Sequence, residues 1–294
     1  IAVRHVERVG QLAPDGSLYV LGGSYYGGNV SDIVLLKYDS LGTLLWQRNY
    51  HGGFGTDVGS DLDLDSQGNV VIAGYSISPS GTNNYDWVAL KYDPSGNLSW
   101  SARRGGSFLW PDYCWGMCVD SNDDVLMTGH LVNTSGNQDF TTMKFDSAGN
   151  WMWTRDLGMA SGAGKVVTTD HARNVYVAGG AGVISYDAAG NLRWERIATV
   201  APATFPSLNA IAIDADDHVI VTGPTYVAGS SNQVFIGAFG TNGVFVNSLV
   251  HGGTLSESPE TRALAIRGRS IFVTGAGPNA HDNDAFTVRY TLTR

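Results

Sequence analysis

An all-β propeller of six four-stranded blades is the fold that the sequence predicts, and three observations predict it. A short β-rich run ending in glycine recurs six times, its glycines (Gly22, Gly74, Gly129, Gly179, Gly223 and Gly275) lying 52, 55, 50, 44 and 52 residues apart. Each of the first four runs is followed by a turn of the form Tyr/Phe-Asp-x-x-Gly, clearest in Lys91-Tyr92-Asp93-Pro94-Ser95-Gly96-Asn97 and Lys144-Phe145-Asp146-Ser147-Ala148-Gly149-Asn150, with a weaker copy at Phe239-Gly240-Thr241-Asn242-Gly243. A comparable turn, such as Asp65-Ser66-Gln67-Gly68-Asn69, precedes each run. Four antiparallel strands per period of about 50 residues is the arithmetic of a propeller blade.

The elements follow in order from these marks. Aspartate opening a turn and glycine at its left-handed position suit a type I turn with a glycine bulge, which closes a β-hairpin. Blade two therefore reads as an inner strand at Val58 to Leu64, then Asn69 to Tyr75, Tyr85 to Tyr92 and Leu98 to Arg103. Blade four lacks the loop between its second and third strands, since only seven residues separate Gly179 from Tyr186. The sixth repeat leaves its fourth strand unaccounted for, and the residues before Ala13 supply one strand, not two. The arrangement expected gives Val6 to Leu12 to blade one as its inner strand and leaves blade six three-stranded; the alternatives complete blade six from the N-terminal residues or from a neighbouring chain. Residues 1–294 form one domain in this reading.

Composition removes several functional classes. The chain has 294 residues, 38 of them glycine, and a formal charge of −9. Nucleic acid would find no basic footprint on it. No apolar run reaches the length of a membrane-spanning helix. Walker, dinucleotide, nucleophile-elbow and zincin motifs are absent from the sequence. Low lysine, abundant small polar residues and Asn-x-Ser sequons at Asn29, Asn97 and Asn133 suit an extracellular, cell-surface or periplasmic protein. Two cysteines make no disulfide framework; Cys114 and Cys118, four apart on one strand, are expected as buried free thiols.

The units Val70 to Trp100 and Val125 to Trp153, with their Tyr/Phe-Asp-x-x-Gly-Asn turns, following Trp and the Gly pairs of His51-Gly52-Gly53 and Arg104-Gly105-Gly106, resemble the bacterial SBBP-type β-propeller repeat. The resemblance spans nearly the whole chain and is best in blades one to three. It implies a propeller on the cell exterior and carries no catalytic motif.

Candidate residues fall into two groups. Trp46, Trp100, Trp153 and Trp194 recur once per blade and read as interblade packing, while Asp32, Asp86, Asp139 and Asp284 recur at the start of the third strand and read as scaffold. Against this background Asp57, Asp61 and Asp63 stand out, because they alternate along one inner strand where other blades carry small or apolar residues. Alternate strand residues share a face, so the row is a candidate calcium site or a hydrated channel face. The second group lies on the irregular loops: His51, Arg104 and His251 beside their Gly pairs, Trp110 and Tyr113 in the most apolar interblade loop, and His130 just after the blade-three glycine. Aromatic rings beside hydrogen-bonding groups suit a glycan or protein ligand. The leading reading is a noncatalytic binding module. The alternatives are a lyase or hydrolase with a His base and Arg104 at the channel mouth, or a structural subunit that self-assembles into a surface layer.

Overall fold

Aspartate-anchored turns set the register of every complete blade. Asp65 shows the device: its Oδ1 accepts the amides of Gln67 and Asn69, its Oδ2 accepts the Asn69 side-chain amide, and its carbonyl accepts the amide of Gly68. The same carboxylate pattern recurs at Asp93, Asp146 and Asp187. Gly68 closes its turn at φ 75°, a region glycine enters without steric cost. In the first turns of blades three, four and five the left-handed position is held instead by Asp123, Arg173 and Asp217.

The computed structural model describes residues 9–25, 30–79, 84–106, 110–157, 163–180, 182–198, 207–225, 233–251, 260–278 and 283–291, with side chains except at 9, 251, 260, 276–278 and 283–285. Their strands form six antiparallel sheets with sequential neighbours, and no helix. Blade one contains β1 (Val9–Leu12), β2 (Leu18–Tyr25), β3 (Ser31–Tyr38) and β4 (Leu44–Tyr50). Blade two contains β5 (Asp57–Leu64), β6 (Val70–Ile77), β7 (Tyr85–Tyr92) and β8 (Leu98–Arg104). Blade three contains β9 (Tyr113–Val119), β10 (Val125–Val132), β11 (Gln138–Phe145) and β12 (Trp151–Leu157). Blade four contains β13 (Val166–Thr169), β14 (Val175–Gly179), β15 (Gly182–Tyr186) and β16 (Leu192–Ile197). Blade five contains β17 (Ala210–Ile213), β18 (Val219–Thr225), β19 (Gln233–Phe239) and β20 (Phe245–His251), and blade six β21 (Glu260–Arg267), β22 (Ser270–Pro278) and β23 (Asn283–Thr291). These are the blades of a β-propeller. Among the described residues β1 pairs with β2 as the first strand of blade one, and blade six has three strands, in the arrangement expected. The six repeats fall into two compact units, residues 1–159 with blades one to three and residues 160–294 with blades four to six.

In blades one to five the second and third strands are buried on both faces, which explains their continuous apolar runs, whereas β23 of blade six exposes every other residue over 287–291. In β6, Val70 and Ile72 pack with Tyr19, Leu21, Ile33 and Leu35 of blade one, whereas Val71 and Ala73 pack with Cys114, Met117, Val125 and Met127 of blade three. In β18 of the second unit, Val219 and Val221 join Tyr176 and Val183 of blade four, while Ile220 joins Ile271 and Val273 of blade six. Alternation along a strand thus becomes alternation between neighbouring blades. The tryptophans bridge the same gaps: Trp46 Nε1 donates to the Pro94 carbonyl, Trp100 Nε1 to Ser147 and Trp194 Nε1 to Thr241, each in the next blade's turn. Buried lysines reinforce them, Lys91 Nζ lying 2.7 Å from Asp65 Oδ2 and 3.1 Å from the Ser147 carbonyl.

The glycine that ends each run has its own cause. Opposite it the first strand bulges, as between Gly59 and Asp61 or opposite Thr128 and Gly129. A Cβ on Gly74, Gly129 or Gly223 would collide with the backbone carbonyl of Val58, Tyr113 or Ser207. Gly74→Ala should therefore cost about 3 kcal/mol, the upper range for forced overpacking. Gly42→Ala, where a Cβ meets nothing within 4 Å at φ 83°, should cost about 1 kcal/mol. Denaturant melts of the two variants test this ordering.

Candidate ligand-binding site

The bulge in β5 changes the reading of the aspartate row. Asp57 and Gly59 pair with Ser76 and Gly74, whereas Asp61 and Asp63 pair with Ala73 and Val71. The register slips by one residue at Ser60, so Asp57 sits on the opposite face of the sheet from Asp61 and Asp63. The three expected metal ligands are not brought together. Asp61 and Asp63 serve instead as clasps on the edge of the next blade: Asp61 Oδ2 accepts the Met117 amide and Asp63 Oδ2 the Val119 amide, both at 2.9 Å. Ser60 Oγ donates to the Cys114 carbonyl beside them. First strands leave backbone groups unpaired on one side, and these three side chains satisfy them.

Burial pushes the Asp61 carboxyl up to about 6, against the pull of the Met117 and Leu62 amides, and raises Asp63 for the same reason. Cys114 and Cys118 are free, and burial pushes both thiols up.

Asp57 belongs to the junction of blades one and two. Its Oδ2 accepts the Gly52 amide at 2.7 Å. His51 Nδ1 lies 3.0 Å from Asp32 Oδ1 and 3.8 Å from Asp57 Oδ2, with 57% of the His51 side chain exposed. At the next junction Asp112 accepts the amides of Gly106 and Val132, and burial pushes its carboxyl up to about 6. The arginine built into this region is Arg103, which reaches Ser76 Oγ, the Ile77 carbonyl and Asp86. Arg104 is exposed and donates to the Arg103 carbonyl. The expectation of a site role for Arg104 misses by one residue, because successive residues in β8 face opposite ways.

Tyr113 and His130 do come together, within a larger aromatic group that the sequence reading only half found. Tyr75, Tyr85, Tyr113 and Trp115 form a connected set, with Tyr75 4.8 Å from Tyr113, 5.4 Å from Tyr85 and 6.2 Å from Trp115. His130 completes it, 5.3 Å from Tyr113 in an edge-to-face contact. Trp115 is the bulged residue of β9 and is 41% exposed. His130 is 4% exposed, and neither ring nitrogen makes a hydrogen bond of normal geometry. Burial lowers its pKa, with the Pro111 carbonyl opposing. Trp110, three residues before β9, is 58% exposed. The His251 backbone pairs with Val234 in β20, and its side chain lies outside the described residues, as do Phe108 and Leu109. Tyr75, Tyr85 and Trp115 carried a sequence signal: they are aromatic where the once-per-blade pattern asks for none.

Comparison with known proteins bears on the fold. No family model matches the chain. It is 32% identical over 155 residues, 44% of its length, to the regulatory protein FlaEY of Caulobacter vibrioides. It is 25% identical over 187 residues, 46% of its length, to an uncharacterized WD repeat-containing protein of Acanthamoeba polyphaga mimivirus. The matches span only 16% and 13% of these two relatives' own lengths. Among solved structures, a protein of unknown function from Dyadobacter fermentans superposes with a TM-score of 0.58 at 12% identity, covering 99% of both chains. A PL25 ulvan lyase bound to a GlcA–Rha3S unit superposes with a TM-score of 0.62 at 10% identity, covering 98% of this chain and 84% of that one. At such identities the likeness is one of fold, and the class it defines is a β-propeller-like protein.

The carboxyls at Asp61 and Asp112 give a testable pH dependence. A carboxyl raised in the native state binds its proton more tightly there than in the unfolded chain, so its contribution is fully present below about pH 4 and is lost as pH rises toward 6. The melting temperature should therefore fall between pH 4 and pH 7. Asp61→Asn should shrink that fall by an amount corresponding to about 1–3 kcal/mol. Calorimetric scans across this range check it.

Proposed function

We propose that the chain is a noncatalytic binding module of the cell exterior, and that its ligand surface is the aromatic group of blades two and three. The observation that carries this reading is the connected set of Tyr75, Tyr85, Tyr113 and Trp115, with His130 against Tyr113 and Trp115. Four large rings with hydroxyl and ring N–H groups at their edges offer what a saccharide asks for: apolar faces for its C–H groups and polar rims for its hydroxyls. Tyr113 and Trp115 lie tilted by 30° with centroids 5.5 Å apart, so that the exposed Trp115 ring is continued by the half-buried Tyr113 ring. The rings stand on adjacent blades whose packed strands hold them in place, which limits the entropy lost on binding.

Glycan is preferred to protein as the ligand because the facet is small and its polar atoms lie at ring edges. The resemblance to SBBP repeats and the lysine-poor, sequon-bearing composition support a place outside the cytoplasm. A catalytic reading through Arg104 loses its support, since that guanidinium turns back onto its own strand.

Glycan-array binding measured on the intact chain tests the proposal. Trp115→Ala and Tyr113→Ala should each weaken binding at least tenfold, in line with about 1.4 kcal/mol or more for a central aromatic contact, while Arg104→Ala should leave it unchanged. Equal binding by all three variants, or loss only on changing the Asp93 and Asp146 turns, would overturn it.

A further inference from the structure

The junction of blades one and two holds three metal-capable groups that are independent of the aromatic surface. Asp32 at the start of β3, His51 before β5 and Asp57 at its start offer one nitrogen and two carboxylate oxygens, all within 4.8 Å of one another. Ligand atoms about 2.0–2.2 Å from a tetrahedral zinc ion lie about 3.3–3.6 Å apart. The 3.0 Å and 3.8 Å separations from His51 Nδ1 to the two carboxylates bracket that value.

A cluster of this kind is also what a plain ion pair would give, so the internal repeat supplies the decisive comparison. At the next junction the corresponding pair is Asp86 and Asp112, and Asp112 is fully occupied: Oδ2 accepts the Gly106 amide and Oδ1 the Val132 amide. Asp57 receives only the first of these bonds, from Gly52. The Ile77 amide, counterpart of Val132, is drawn 3.1 Å to the Thr56 carbonyl instead. Asp57 is 1% exposed, and its Oδ1 is left without a hydrogen bond of normal geometry. The Ser76 hydroxyl lies beside it and eases its charge, while its oxygen accepts a bond from Arg103 Nη2. Where this site has the half-exposed His51, the second junction has Arg104, which is turned away. One copy of the repeat is thus a clasp closed by two amides, and the other has a buried carboxylate oxygen that no backbone amide reaches, beside a second carboxylate and an accessible imidazole.

We propose that Asp32, His51 and Asp57 bind a divalent transition-metal ion of the zinc type, with solvent completing the coordination. An imidazole ligand with only two carboxylates favours such an ion over calcium, which takes six to eight oxygen ligands. The nearby Arg103 guanidinium is offset by its ion pair with Asp86.

Titration of the metal-stripped chain with zinc, followed by calorimetry and by the rise in melting temperature, tests the site. The visible spectrum of the cobalt(II) form reports directly on nitrogen and oxygen ligation. One ion should bind, and His51→Ala and Asp32→Asn should each weaken it at least tenfold while the chain stays folded by circular dichroism. The surface histidines His171 and His218, each 3.0 Å from an aspartate of the second unit, provide the control: the double variant His171→Ala, His218→Ala should bind as the parent does. Absence of zinc binding at micromolar concentration, zinc binding undiminished in His51→Ala, or binding lost only in the double variant would overturn the proposal. Calcium binding without zinc binding would do the same.

Discussion

Burial of the second and third strands on both faces is the constraint on which the rest of the structure depends. A strand with one solvated face can tolerate polar residues at every other position; β6 and β18 cannot, because one face packs against the preceding blade and the other against the following one. Each fully buried aliphatic or aromatic side chain there contributes about 1.5–3 kcal/mol, and Trp87, Tyr19 and Phe235 are among the largest of them. Since both faces are spoken for, the blades have no freedom in how far apart they sit. That spacing in turn lets Trp46, Trp100 and Trp194 reach turn carbonyls in the next blade. It also brings Asp61 and Asp63 within reach of the free edge of β9.

Legibility in the sequence follows from what repeats. The turns could be read because aspartate and glycine at fixed offsets have one economical backbone solution, and six copies average out the exceptions. The Lys-Tyr/Phe-Asp mark was visible without its reason: Lys91 and Lys144 are buried and tie the first turn of their own blade through Asp65 and through Asp120 with Asp124. The run-ending glycine was likewise visible as punctuation, while its cause, a bulged carbonyl pressed against it, is a tertiary contact that one strand read alone does not contain.

The same bulge accounts for most of what was misplaced at the candidate site. Period-two counting along β5 puts Asp57, Asp61 and Asp63 on one face, and one unpaired residue at Ser60 reverses that count. In β9 the equivalent irregularity falls on Trp115, which therefore looked like an ordinary strand residue although it forms part of the aromatic facet. Arg104 stands beside the glycines in sequence, and the strand's alternation gives the inward position to Arg103. Local patterns find which residues depart from the repeat; register decides where each of them points.

Aspartate illustrates how far environment, more than residue type, assigns a role in this chain. Exposed in a turn, as at Asp93 or Asp146, its charge is held by the side-chain amide of Asn97 or Asn150 and by backbone amides, and its pKa falls below the ordinary carboxylate value. Clasping the next blade, as at Asp61, or tying an interblade loop to its own blade, as at Asp112, it accepts comparable amide bonds, yet burial outweighs them and its pKa rises to about 6. The difference lies in solvent: a turn carboxylate keeps water on its outer side, whereas a clasp gives up that hydration for bonds that return only part of it. A propeller built on repeated aspartates can therefore leave most of them as scaffold. Among the described residues it leaves Asp57, with one carboxylate oxygen that no backbone amide reaches, at a blade junction where the repeat is broken.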